Sequence, residues 1–73
     1  MAMRLFSPEE FESELLRRGC EKRENHSLGT VWRHPDGVRH FLVPHPEESG
    51  RYPDWMLDDL IRRLDLPQAP TDQ

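Results

Sequence analysis

Among 73 residues the chain has a single cysteine, Cys20, so no internal disulfide can form and nothing calls for an oxidising compartment. A buried structural thiol is the simplest reading of it. Long apolar runs are missing as well. The opening Met1-Ala2-Met3-Arg4-Leu5-Phe6 has no signal-peptide stretch, and no segment approaches the roughly 20 apolar residues that cross a bilayer. These absences lead to the expectation of a cytoplasmic chain with no membrane partner. An excess of positive charge is also lacking: 10 Lys and Arg against 14 Asp and Glu leave a net charge of −4 and a pI near 5.5. Broad coating of phosphate backbones is therefore a poor fit, because that affinity comes from neutralising phosphates, although a local basic patch is compatible with it. An apolar content of 34% in so short a chain supports one modest core and one domain.

What is present is strongly patterned. Ser7-Pro8-Glu9-Glu10 opens a helix: Ser7 as N-cap, Pro8 at the first helical position and Glu10 as the acid of a capping box, with Phe6 and Phe11 as a staple across the start. Phe11, Leu15 and Leu16 follow helical spacing, Arg17 and Arg18 suit the C-terminal dipole, and Gly19 ends the helix. From Cys20 to Val43 the spacing changes to alternation. Pro35-Asp36-Gly37 separates two β-rich runs, near 29–34 and 38–43, and a two-residue turn at Asp36-Gly37 sets Trp32 opposite Phe41 and Arg33 opposite His40. Thr30, Trp32, Phe41 and Val43 then share the core face, while Gly29, Val31, Arg33, His40 and Leu42 share the other. A weaker, charged first strand is expected over 20–24.

Pro44-His45-Pro46-Glu47-Glu48-Ser49-Gly50 reads as a loop. A second helix starts near Pro53-Asp54, carries Leu57, Leu60, Ile61 and Leu64 on one stripe, and is stopped by Pro67. The expected architecture is α+β in the order α-β-β-β-α: a three-stranded antiparallel sheet with two helices on one face, a single domain over 1–66 and a disordered tail over 67–73.

Taken together, Gly19, Trp32-Arg33-His34-Pro35-Asp36-Gly37, Val43-Pro44-His45-Pro46 and Tyr52-Pro53 leading into Leu57, Leu60, Ile61 and Leu64 resemble the HicA family of toxins over about residues 9 to 66. The resemblance implies a fold like the double-stranded-RNA-binding domain, a metal-independent mRNA-cleaving activity and neutralisation by a HicB-like antitoxin protein; such folds read RNA shape and 2′-hydroxyls more than sequence. The family's active histidine stands in a Gly-Ser-His triplet, and an ungapped count from Gly19 to Trp32 lays that triplet on Ser27-Leu28-Gly29, so Gly29 occupies the histidine position. Glycine cannot move the 2′-hydroxyl proton, a task for a group that titrates near neutrality. Three alternatives stay open: the activity is lost, another histidine has taken it over, or the alignment shifts locally.

Two histidines are candidate catalytic substitutes. His40 is expected on the Gly29 face beside Arg33, and His26, three residues upstream, is expected on the opposite face if the strand is regular. Arg33, His34, Lys22 and Arg23 are the candidate RNA contacts, with Arg33 as phosphate binder. For each, a solvent-facing structural role is the simpler reading. His34, His40 and His45 match no metal-ligand motif, and no cofactor is implied. The competing class is a non-catalytic protein-binding module using Val31, Leu42 or Trp55 to dock a partner or a second copy. Trp55 beside the apolar stripe is open to either core packing or partner anchoring.

Overall fold

The computed structural model describes residues 4–46 and 49–68. Its elements run β1 (Leu5–Phe6), α1 (Pro8–Arg17), β2 (Glu21–His26), β3 (Gly29–Arg33), β4 (His40–Pro44), β5 (Tyr52–Pro53) and α2 (Asp54–Leu64). The expected helix–three strands–helix series is present, framed by two short strands that alternation over two residues was too brief to signal. They pair antiparallel, Leu5 with Pro53 and Phe6 with Tyr52, so the segment entering α1 is tied to the segment entering α2. Asp54 N–H adds a bond to Arg4 O at 2.9 Å. The expected tail over 67–73 falls mainly on residues 69–73, outside the described residues.

The start of α1 follows from its sequence. Ser7 Oγ accepts from Glu10 N–H at 3.1 Å, and Glu10 Oε1 accepts from Ser7 N–H at 2.8 Å, so two otherwise orphaned donors are satisfied reciprocally. The Phe6 and Phe11 rings meet edge to face at 6.4 Å. At the other end Gly19 adopts φ 88°, which lets Gly19 N–H reach Leu16 O and Cys20 N–H reach Leu15 O. The chain leaves the helix with Cys20 turned into the core. Helix α2 ends earlier than Pro67 would stop it: Asp65 turns left-handed at φ 52°, and Leu66 N–H returns to Ile61 O at 3.0 Å. That reversal buries Leu66, which an open helix end would leave in water.

The sheet is antiparallel in the order β2-β3-β4. Trp32 lies opposite Phe41 and Arg33 opposite His40, the expected register. The connection is longer than two residues, however. His34 N–H donates to Arg39 O at 2.7 Å, and Asp36 Oδ1 accepts from both Val38 and Arg39 N–H, so Pro35–Val38 form the loop and the strands begin and end at 29–33 and 40–44. Both loops are centred between Asp36 and Gly37, which is why the register is unchanged. The first strand is longer than expected and bulged: Lys22 pairs with Trp32 and Glu24 with Val31, leaving Arg23 as the extra residue.

Both helices pack on one side of the sheet. Phe11 and Leu15 from α1, Leu57 and Leu60 from α2, Trp32 and Val43 from the sheet, and Phe6, Cys20, Tyr52 and Leu66 form one core. Tyr52 stacks on Phe11 at 4.4 Å between centroids, while its hydroxyl donates to Pro44 O at 2.6 Å. No helix among the described residues is long and apolar enough to cross a membrane.

Replacing Ser7 with Ala removes the cap oxygen and leaves the Glu10 N–H unmatched. Urea unfolding is expected to show a loss of about 1 kcal/mol, the usual cost of an N-cap deletion.

Candidate functional site on the open sheet face

With the helices on one side, strand pairing sorts the other face into three rows: Glu21–Arg33–His40, Glu24–Val31–Leu42 and His26–Gly29–Pro44. His40 and Arg33 are cross-strand neighbours, as expected. His40 is solvent-exposed, but Arg33 is not free. Its Nη2 lies 2.9 Å from Glu21 Oε1, and that oxygen also holds Arg23 Nη1 at 2.7 Å. The Arg23 hydrogen bond and the nearby Arg33 charge hold the Glu21 carboxyl below the ordinary glutamate range, so the acid is ionised at neutral pH. One carboxylate thus sits between the two guanidinium groups that a phosphate would need.

His26 departs from the expected geometry. The strand does not run regularly through residues 26 to 29: β2 ends at His26, the chain turns through Ser27-Leu28, and His26 becomes the cross-strand partner of Gly29. Partners share a face, so His26 lies on the open side instead of the opposite one. Its Nδ1 accepts from Leu28 N–H at 3.1 Å, closing the turn.

Gly29 is set by close approach. A Cβ built on it would lie 2.1 Å from Val43 O and 2.7 Å from Pro44 Cα, both backbone atoms, so no side chain fits at this position without moving β4.

The four candidate RNA contacts do not form one surface. Arg23 and Arg33 flank Glu21 on the open side. Lys22 shares the Trp32 face and pairs with Glu12 of α1 at 3.0 Å. His34 is buried at 6% exposure. Its Nδ1 accepts from Asp36 N–H at 3.0 Å, and its Nε2 lies 2.6 Å from Leu64 O and 3.1 Å from Arg39 Nη2. The imidazole therefore bolts the hairpin loop to the last turn of α2. Arg39 Nε supports the loop from outside by holding Asp36 Oδ2 at 2.7 Å. That bond and the Arg39 and Val38 N–H groups keep the Asp36 carboxyl far below the usual aspartate range.

Val31 and Leu42 lie side by side at the centre of the open face, with Leu42 40% exposed. Trp55 is elsewhere and is 60% exposed, so it is not packed in the core. It borders a groove of about 390 Å³ lined with Leu5, Pro44, His45, Tyr52 and Met56. Sequence reasoning missed this groove, since Pro44 and Tyr52 are eight positions apart and meet only through the pairing of β5 with β1. Burial pushes the Cys20 thiol up, which keeps it protonated and unreactive. Among the described residues no group of three His, Cys, Asp or Glu side chains is arranged to hold a metal.

No family model, curated protein or solved structure matches the chain.

Gly29→Ala is expected to collapse the thermal transition or shift it down strongly, because the added methyl group meets backbone and not a flexible side chain; an unchanged melting curve would contradict the close approach. Acid should act through Glu10, Glu14, Glu21 and Asp36, all lowered by their partners. Groups with depressed folded values stabilise above their unfolded values and lose that contribution as pH falls through the folded ones. Stability followed by chemical denaturation should therefore hold above pH 4.5, the ordinary glutamate value, and decline progressively below it.

Proposed function

We propose that this chain is a HicA-like domain that has lost RNA cleavage and works as a protein-binding module, docking a partner on the open face of β2, β3 and β4. The observation that carries the reading is the backbone contact at Gly29. The position that the resemblance assigns to the general base has no room for any side chain. The phosphate-binding side of such chemistry is weakened too, since one Glu21 carboxylate already engages both Arg33 and Arg23 and the net charge is −4.

What the face does offer suits a protein. Val31 and Leu42 make an apolar centre, and Glu21, Arg23, Glu24 and Arg33 surround it with charges of both signs, the usual arrangement of an interface with a dry middle and a polar rim. The resemblance points to a HicB-like antitoxin as the partner to try first. Co-purification with such a protein is expected for the parent chain and is expected to fail for Val31→Glu and Leu42→Glu. RNA should be neither cleaved nor bound at low salt. RNA binding that weakens steeply as salt is added would replace this reading, because phosphate contacts carry that signature.

A second reading keeps RNA cleavage with a substitute histidine, and one observation favours it: His26 is the direct cross-strand partner of Gly29 and shares its face with Arg33 and His40. Expression in bacteria separates the two. Toxicity that disappears in His26→Ala or His40→Ala supports cleavage, whereas a harmless parent chain supports the binding module.

A further inference from the structure

Two hydrogen bonds outside the strands determine which way the backbone of β4 faces. At one end His34 N–H donates to Arg39 O at 2.7 Å; at the other His45 N–H donates to Leu28 O at 3.3 Å. In an antiparallel pair, hydrogen-bonded and non-hydrogen-bonded partners alternate. Counting inward from both ends gives one answer: residues 39, 41, 43 and 45 turn their N–H and C=O groups to β3, and His40, Leu42 and Pro44 turn theirs outward. Among the described residues strand β4 pairs with a neighbour on one side only. No turn, loop or cap hydrogen bond among the described residues reaches the backbone N–H or C=O of His40 or Leu42 either. Pro44, which has no N–H, falls on the outward side where a missing donor is tolerated, and its carbonyl takes the Tyr52 hydroxyl.

The two outer edges of the sheet are unlike. Strand β2 is Glu-Lys-Arg-Glu-Asn-His, exposed throughout and broken by the bulge at Arg23, devices that block strand addition. Strand β4 is His-Phe-Leu-Val-Pro, with no Lys, Arg, Asp or Glu and no register shift against β3. It keeps the features of a pairing edge.

We infer that β4 is a strand-addition site and that its occupant is a second copy of this chain, paired antiparallel about a two-fold axis through Leu42. Such a pair is self-complementary. Leu42 exchanges both backbone bonds with Leu42 of the partner subunit, and each His40 N–H donates across the axis to the second lone pair of the Pro44 C=O, whose first takes the Tyr52 hydroxyl. Each proline's absent donor leaves only the His40 carbonyl to water. Side chains meet without like charges: Leu42 faces its own copy on the open side, Phe41 faces Val43 of the partner subunit on the helix side, and His40 lies against Pro44. Two three-stranded sheets become one of six strands. The contact is smaller than a standard interface, so the dimer is weak and concentration-dependent, and added salt favours it by screening the −4 charges on the two copies.

Sedimentation equilibrium over a concentration series tests this together with amide exchange. The mass is expected to rise from 8.7 kDa towards twice that value as concentration increases. Over the same series the His40 and Leu42 amides should gain protection, while Phe41 and Val43 stay protected throughout. A mass of 8.7 kDa at millimolar concentration overturns the inference, and so does a dimer in which His40 and Leu42 exchange as fast as in dilute solution. Leu42→Pro removes an outward donor and a half-exposed side chain but no bond to β3, and should give a folded monomer; if that variant does not fold, the exchange pattern decides. Val31→Glu, one strand inward, is expected to leave the dimer intact while disrupting partner docking, so the two proposals fail separately.

Discussion

The placement of β3 between β2 and β4, with Trp32 turned inward, is the constraint on which the rest of the structure depends. Trp32 is the largest side chain in the core and is 1% exposed. Because a strand alternates faces, burying Trp32 also buries Val43 through the pairing and sends Val31, Arg33, Leu42 and His40 to the other side. A one-residue slip would exchange these sets and strand the indole in water. The helices follow, since Phe11, Leu15, Leu57 and Leu60 can be covered only by the face that carries Trp32.

Two polar devices hold that arrangement at its ends. At one end His34, buried beneath the hairpin loop, joins Asp36 N–H to Leu64 O and thereby links the β3–β4 connection to α2. At the other, Tyr52 spans from β5 to Pro44 O while its ring stacks on Phe11. Each places a hydrogen bond where a buried polar atom would otherwise be costly, and each joins segments far apart in sequence. The histidine and tyrosine most prominent in the family-like motifs are therefore occupied within the protein. A resemblance carried by such residues speaks first to architecture, and function has to be argued from the open face.

On that face the sequence was readable to different depths. The Trp32–Phe41 and Arg33–His40 pairs and the split of side chains between faces follow from alternation around one turn, and they survive the change from a two-residue to a four-residue loop because both share a centre. The position of His26 was not readable. A regular strand would turn it away from Gly29, and the turn at Ser27-Leu28 reverses that outcome. Charged β2 gave little apolar pattern from which to see where it ended. The pairing of Arg23 and Arg33 with a single Glu21 carboxylate was likewise hidden, because it depends on two strands and a bulge at once.

By itself the sequence determined the capped and terminated first helix, the amphipathic stripe of the second, the hairpin register and the face that Trp32 seeks, since all of these rest on contacts between residues near in the chain or on simple alternation. Only the tertiary structure decided that β1 ties to β5, that Leu66 returns to the core, that His34 is a buried bolt and that Gly29 is pressed against the backbone of β4. Those outcomes depend on which distant segments approach each other, and on how closely. Residue spacing carries no record of that distance, so the glycine that reads as a missing histidine becomes, in three dimensions, a place where no side chain could stand.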